Sequence, residues 1–120
     1  MQVLQHVFRL YVARDKFEHA IAFYERIQGS SCERRVHIPE TGIDAAKVGG
    51  FLIFTGDPES LARVRDVNAI FYVDSLAAFV QWLNENGAEI LAGPRTVTGG
   101  KNATVRNPDG LIVEYFEATR

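Results

Sequence analysis

The chain contains the same pattern of strand and helix residues twice, and this internal repeat limits its fold more than any other feature. The apolar segment Leu10–Val12 precedes apolar residues at helical spacing, and Phe71–Val73 precedes a second such series. A glycine followed by an apolar stretch closes each half, at residues 50–54 and again at residues 110–114. Two copies of one supersecondary unit in a short chain predict two modules of similar structure.

The first half is predicted to form a strand, a helix and three further strands. Residues 3–12 are rich in β-branched and apolar side chains, as strands are. Asp15 is a suitable helix N-cap, and the apolar residues after it recur every three or four positions until Gly29, which is expected to end the helix. The three strands that follow are predicted over residues 32–38, 43–48 and 51–54.

The second half is predicted to repeat this order. A strand over residues 67–73 leads to Asp74 and Ser75, either of which can cap a helix that Gly87 ends. A short strand is then expected before a Gly-Pro pair, followed by one or two strands around a Gly-Gly pair and a last strand. These segments cover residues 89–91, 96–106 and 111–116.

Length and charge limit the class of protein. A chain of 120 residues fits one domain, divided here into modules of about residues 1–56 and 67–120. The net charge of −2 gives no basic face for nucleic acid, and no apolar run approaches the roughly 20 residues that span a bilayer. Without a signal-peptide pattern and with Cys32 as its one cysteine, the chain is predicted to be cytoplasmic, with no nucleic-acid or membrane partner.

Several short motifs occur in a fixed order along the two halves: Ala20–Tyr24 with Gly29, Phe71–Asp74, Asn86–Ala88, Gly93-Pro94 and Asn107–Glu114. Together they resemble the vicinal-oxygen-chelate superfamily, which includes glyoxalase I, extradiol dioxygenases and bleomycin-resistance proteins. The strongest piece is Asn-Pro-Asp-Gly-x-x-x-Glu, close to the superfamily's usual Asp-Pro-Asp-Gly-x-x-x-Glu. The resemblance implies an α+β fold in which two βαβββ modules form a curved mixed sheet around a cleft, and it implies a homodimer.

In metal-dependent members of this superfamily, four inward residues, usually His and Glu, hold a divalent ion. Aligning the two halves of this chain on their repeat gives the four equivalent positions as Val7, Phe54, Asn68 and Glu114. Valine and phenylalanine have no lone pairs to donate, so no metal cofactor is predicted. The alternative is a divalent metal held by His6 and Glu114, which requires a β-bulge that turns His6 inward.

Strand alternation predicts which other side chains face the cleft. Arg9 and Tyr11 share the face of Val7, whereas Ile70 and Tyr72 share the face of Asn68. The expected ligand-binding residues are Arg9, Tyr11, Phe54, Asn68, Ile70, Tyr72 and Lys101, the last in a loop that could close on a ligand. Arg9 either recognises a ligand carboxylate, phosphate or enolate, or forms a structural ion pair with Glu114.

Two classes of function are consistent with these residues. The first is a metal-free protein that binds a small, partly apolar or aromatic molecule, as drug-resistance members of the superfamily do. The second is a lyase, isomerase or epimerase of the glyoxalase type that uses Glu114 as a general base, with or without a divalent metal. The sequence leaves open whether the chain is an enzyme, although the lack of a chelating quartet favours the first class.

Overall fold

Two runs of strand, helix and three strands make up the chain, and the computed structural model describes residues 1–120. The first run contains β1 (Val3–Val12), α1 (Phe17–Gln28), β2 (Arg34–Ile38), β3 (Ile43–Val48) and β4 (Phe51–Thr55). A short helix, α2 (Pro58–Ala62), follows. The second run contains β5 (Ala69–Val73), α3 (Leu76–Glu85), β6 (Glu89–Val97), β7 (Gly100–Arg106) and β8 (Ile112–Ala118). The predicted α+β class and the repeated βαβββ order are therefore confirmed.

The chain divides into two compact units that differ slightly from the expected modules. The N-terminal unit is Val7–Asp66, and the C-terminal unit combines Val67–Arg120 with Met1–His6. The first residues of β1 were expected in the first module. They lie instead in the C-terminal unit, where Gln2 N donates a hydrogen bond to Asp74 Oδ1 at 2.8 Å and Asp74 N donates one to Gln2 O at 3.1 Å. The Gln2 N–H also holds the pKa of the Asp74 carboxyl below its usual range.

The N-terminal unit has helices on both faces of its strands. The strand order is β2-β3-β4-β1, in which β1 runs parallel to β4. On one face, α1 buries Phe17 and Ile21 against β3 and β4, and on the other Leu61 of α2 packs beside Phe54. As predicted, α1 ends at Gly29, which adopts the left-handed conformation with φ 65°. Because side chains alternate along a strand, neighbouring residues of β4 pack into two different hydrophobic cores, one beneath α1 and one beside α2.

Thr55 is the one side chain of the unit whose buried polar atom lacks a hydrogen-bond partner. It is 2% exposed, and its Oγ1 is unsatisfied. Because such a hydroxyl carries a desolvation cost of about 1–3 kcal/mol, we expect Thr55→Val to raise the free energy of unfolding by about 1 kcal/mol. Urea denaturation measures the change. The matched control is Thr41→Val, which loses the hydrogen bond from Ile43 N to Thr41 Oγ1 and should lower stability. A Thr55→Val variant less stable than the parent would contradict the expectation.

The C-terminal unit carries one helix on one face of its strands. The strand order is β5-β8-β7-β6, and β5 runs parallel to β8. Ser75 caps α3, since its Oγ accepts a hydrogen bond from Ala78 N at 3.3 Å. Phe79 and Leu83 of α3 pack against β7 and β8, where burial raises the pKa of Tyr115. The face of β7 and β8 that α3 does not cover carries the alternate side chains of the two strands.

Two local predictions were wrong. Asp15 does not cap α1, because a 3-10 turn over Arg14–Lys16 precedes the helix and places Lys16 at its N-cap. The short strand predicted before Gly93-Pro94 is instead the beginning of the nine-residue β6. This strand continues through the proline because its register with β7 shifts there, so the missing N–H interrupts no regular ladder.

No helix of the chain has the length and apolar character needed to cross a membrane.

Candidate functional site

Glu114 lies in the middle of β8 and points away from α3. Its neighbours Val113 and Tyr115 belong to the core beneath that helix, and side chains alternate along a strand. Ile70 on β5 and Thr104 on β7 lie directly opposite Glu114 in the two neighbouring strands. The carboxylate therefore belongs to the sheet face that α3 does not cover.

The Glu114 carboxylate is held by a neighbouring amide. Asn102 is 8% exposed, and its Nδ2 donates to Glu114 Oε2 at 2.9 Å. Arg95 Nε donates in turn to Asn102 Oδ1 at 3.3 Å. This array of guanidinium, amide and carboxylate runs across β6, β7 and β8, and it orients one oxygen of Glu114.

Sequence reasoning did not predict that Asn102 and Arg95 lie beside Glu114. A usable signal lay in the Asn107–Gly110 turn, because folding β7 and β8 about it pairs Thr104 with Glu114. Asn102 is two residues from Thr104 and so becomes the diagonal neighbour of Glu114 on the same face. No such signal existed for Arg95, because the shifted register of β6 determines its position.

Asn68 has a structural role at the start of β5. Its Oδ1 accepts a hydrogen bond from Ile112 N at 3.2 Å, and its backbone N–H donates to Ile112 O at 2.8 Å. These bonds extend the pairing of β5 and β8 by one residue. The amide oxygen predicted to face a ligand is thus already used by the backbone.

Ile70 and Tyr72 lie on β5 on the same face as Glu114. Ile70 is 3% exposed, and the Tyr72 ring makes an edge contact with Phe116, at 5.7 Å between ring centroids. Phe116 shares the Glu114 face because it lies two residues further along β8. The carboxylate therefore has apolar and aromatic neighbours that fit a partly apolar ligand.

In the N-terminal unit, Arg9, Tyr11 and Phe54 form one stacked group. The Arg9 guanidinium carbon lies 4.3 Å from the centroid of the Phe54 ring, and Arg9 Nε donates to Tyr11 Oη at 2.8 Å. Tyr11 Oη donates to Val64 O at 2.9 Å, while its ring stacks on Phe54 at 5.5 Å. A guanidinium fixed in this way keeps a defined orientation for an anionic group.

Lys101 does not join the Glu114 group. It lies within β7 rather than in a loop, since only Thr98 and Gly99 separate β6 from β7. Its Nζ is 3.8 Å from Glu117 Oε2, and the register pairs these residues on the α3 face. Its predicted contact with a ligand beside Glu114 is therefore not supported, because alternation along β7 turns it to the other face.

His6 lies on the side of the sheet opposite to Glu114. Its exposed ring makes an edge contact with Phe71 at 5.7 Å, and Phe71 contacts Tyr115 in the α3 core at 5.4 Å. No bulge turns His6 toward the Glu114 face. The alternative metal pair of His6 and Glu114 therefore does not come together.

The residues present do not fit the metal site of metal-dependent superfamily members. Two of the four equivalent positions are Val7 and Phe54, which are 3% and 5% exposed and have no donor atoms. Asn68 offers an oxygen that already accepts a backbone hydrogen bond. No group of three or more His, Cys, Asp or Glu side chains is arranged to hold an ion.

Comparison with solved structures identifies the fold. Methylmalonyl-CoA epimerase from Mycobacterium tuberculosis is 17% identical, with a TM-score of 0.72 over 98% of this chain and 90% of that one. A Streptomyces coelicolor methylmalonyl-CoA epimerase variant in complex with 2-nitronate-propionyl-CoA is 13% identical, with a TM-score of 0.63 over 99% and 100%. The chain therefore has the glyoxalase-like α+β fold. No protein-family model and no curated protein matches it.

A solved structure of higher sequence identity shows the family. An uncharacterized, hypothetical protein from Methanosarcina mazei is 42% identical, with a TM-score of 0.89 over 99% of this chain and 95% of that one. The chain belongs to the same family as this protein. That protein is uncharacterized, so the relationship assigns no activity to this chain.

Proposed function

We propose that this protein is a metal-free member of the vicinal-oxygen-chelate superfamily, acting in the cytoplasm, that binds a small, partly apolar or aromatic molecule. The observation that carries the proposal is the Glu114 carboxylate, held by Asn102 on the sheet face opposite α3. An oriented charged group beside the aromatic rings of Tyr72 and Phe116 is typical of a ligand site. In such sites a few polar groups orient an otherwise apolar molecule.

Each unit offers one charged group for recognition. Glu114 of the C-terminal unit accepts hydrogen bonds, so it favours a hydroxyl, amide or ammonium group on the ligand. Arg9 of the N-terminal unit is oriented by Tyr11 and Phe54 and favours a carboxylate, phosphate or enolate. The preference of Glu114, with the Tyr72 and Phe116 rings on the same face of the C-terminal unit, supports a ligand with an aromatic or apolar body and a polar substituent.

A second candidate is an isomerase or epimerase that uses Glu114 as its base. The oriented carboxylate favours it, and the epimerases of the same fold make it chemically reasonable. Glu114 would accept the proton from a carbon beside a carbonyl, and the C–H electron pair would move to the carbonyl oxygen as an enolate. Delivery of a proton to the opposite face of that carbon by a water molecule, which then takes up the proton held by Glu114, would invert the carbon and restore the carboxylate.

The variant Glu114→Gln separates the two candidates. Ligand-observed NMR against a panel of small aromatic acids, aromatic alcohols and methylmalonyl-CoA selects the tightest binder, and titration calorimetry gives its Kd. For a binding protein, the variant should raise the Kd about 10- to 100-fold, because a hydrogen bond to a charged group contributes about 1.5–3 kcal/mol. The matched control is Glu89→Gln, whose exposed carboxylate pairs with Arg106 at the edge of the sheet and should leave the Kd unchanged.

Other outcomes would overturn the binding proposal. Incorporation of deuterium from D₂O into methylmalonyl-CoA, lost in Glu114→Gln at unchanged affinity, would establish the epimerase candidate instead. Stoichiometric metal in the purified protein would contradict a metal-free site. If no compound in the panel binds, or if both variants bind equally well, Glu114 is not a recognition group.

A further inference from the structure

Arg95 has unused hydrogen-bond donors on the face of the sheet that carries Glu114. Its Nε donates to Asn102 Oδ1 at 3.3 Å, and neither Nη1 nor Nη2 donates to another group of the chain. Arg106, the other arginine in the strands of this unit, differs because its Nη1 lies 2.7 Å from Glu89 Oε1. The outer nitrogens of the exposed Arg95 guanidinium are therefore available to an anion from outside the chain.

Two register shifts in β6 bring Arg95 to this position. A regular continuation of the pairing at the start of the strand would place Gly93 opposite Asn102, but shifts on either side of Ala92 place Arg95 there instead. Gly93 has φ 82°, and a methyl group on it would lie 2.7 Å from Asn102 O, so the bulged backbone requires glycine. The local backbone thus puts a charged side chain where regular pairing would put none.

One row of paired side chains connects Arg95 to the aromatic residues of the proposed site. Asn102 of β7 lies opposite Arg95 of β6 and opposite Phe116 of β8, and Phe116 lies opposite Tyr72 of β5. Neighbouring strands are about 4.8 Å apart, so the backbone positions of Arg95 and Phe116 are separated by roughly 10 Å. Because Arg95 reaches toward Asn102, a molecule that contacts both the guanidinium and the Phe116 ring has the size of one aromatic ring with a short side chain.

The chemistry of the neighbours gives the Asn102 amide one orientation in this row. A guanidinium only donates and an ionised carboxylate only accepts, so Oδ1 faces Arg95 and Nδ2 faces Glu114. A positive and a negative group are thus held one amide apart on the same face. This arrangement suits a ligand whose carboxylate lies beside a hydroxyl or ammonium group, with the carboxylate on Arg95 and the donor group toward Glu114.

We propose that Arg95 binds a carboxylate of the ligand, and that the ligand is a small aromatic α-hydroxy or α-amino acid. The assignment rests on the proposed function, because it requires the ligand to lie beside Glu114. The two outer nitrogens of Arg95 match the two oxygens of a carboxylate, and the rings of Phe116 and Tyr72 offer contacts to the aromatic ring. The charge of Glu114 repels a carboxylate, so acceptance of an acid depends on the arginine.

Titration calorimetry with related compounds tests the proposal. Phenyllactate carries a carboxylate and a hydroxyl, the corresponding diol has an alcohol in place of the carboxylate, and phenylpropionate lacks the hydroxyl. The parent chain should bind phenyllactate at least about 10-fold more tightly than the diol. Arg95→Gln should raise the Kd of phenyllactate about 10- to 100-fold and change the Kd of the diol less than about 3-fold, because only the acid loses a hydrogen bond between charged groups.

Two further variants examine the geometry and the specificity of this effect. Arg95→Lys keeps the charge but not the pair of planar nitrogens, so it should restore only part of the affinity for phenyllactate. The matched control is Arg106→Gln, which removes an arginine already paired with Glu89 and should leave both Kd values unchanged. Circular dichroism checks that the variants are folded, as expected for exposed side chains.

Several results would overturn the assignment. Equal affinity of the parent chain for phenyllactate and the diol, or no binding of either compound, excludes this class of ligand. If Arg95→Gln weakens both compounds alike, or if Arg106→Gln acts as strongly, the effect is not recognition of the carboxylate by Arg95. If Arg9→Gln removes the preference for the acid and Arg95→Gln does not, the carboxylate is bound by Arg9.

Glu114→Gln distinguishes a failure of this assignment from a failure of the proposed function. This variant should lose the preference for phenyllactate over phenylpropionate, because the hydroxyl is the group that Glu114 recognises. An unchanged hydroxyl preference in Glu114→Gln contradicts the proposed function, whereas an unchanged preference for the acid over the diol in Arg95→Gln contradicts the role of Arg95.

Discussion

Gly100→Ala should destabilise the protein severely, lowering the free energy of unfolding by about 3 kcal/mol or more. A methyl group at Gly100 would collide with the carbonyl oxygen of Glu117, and it would lie 2.9 Å from Phe116 Cζ and 3.1 Å from Ala118 Cα. The carbonyl cannot turn away, because Gly100 and Ala118 are partners in the β7–β8 pairing. The variant is therefore expected to separate the strands that carry Asn102 and Glu114.

Gly50→Ala is the matched control for this change. A methyl group there would come no closer than 3.7 Å to Gln28 Oε1, which is ordinary van der Waals contact. The free energy of unfolding should change by less than about 1 kcal/mol, the usual difference between glycine and alanine. Urea denaturation of both variants gives the comparison, and equal losses would show that close strand packing at Gly100 is not the cause.

Leu76→Ala should lower the free energy of unfolding by about 2–5 kcal/mol, the range for a leucine truncated in a packed core. Leu76 is 1% exposed at the first position of α3 and packs in the core beneath β7 and β8. Its backbone N–H donates to Glu117 Oε1 at 2.8 Å, a bond that alanine retains. The loss therefore measures the buried side chain alone.

Leu111→Ala provides the comparison for this effect. Leu111 is 38% exposed just before β8 in the same unit, so the substitution removes the same atoms without leaving a closed cavity. Its cost should stay below about 1 kcal/mol. Thermal unfolding monitored by circular dichroism ranks the two variants, and a Leu111→Ala loss as large as that of Leu76→Ala would contradict the assigned core.

Most features that depend on a few neighbouring residues were predictable from the sequence, although Asp15 does not cap α1 as expected. The bounds of β1, the end of α1 at Gly29 and the Ser75 cap of α3 match their predictions. Each depends on local chemistry, namely strand propensity, left-handed backbone at a glycine or one hydroxyl near a free N–H. Alternation likewise puts Arg9 and Tyr11 on one face, where they contact each other.

Features that depend on how distant strands pair were decided by the tertiary structure. The bond from Asn102 to Glu114 and the turn of Lys101 toward Glu117 follow from strand register. The association of Gln2 with Asp74 joins residues 72 positions apart in the sequence. A shift of one residue reverses the face of every side chain in a strand, and no local pattern specifies that shift. The sequence by itself thus determined the repeated βαβββ order. Only the pairing of the strands decided which polar groups meet. The physical reason is that a hydrogen bond between side chains on different strands depends on the positions of both strands, which lie far apart in the sequence.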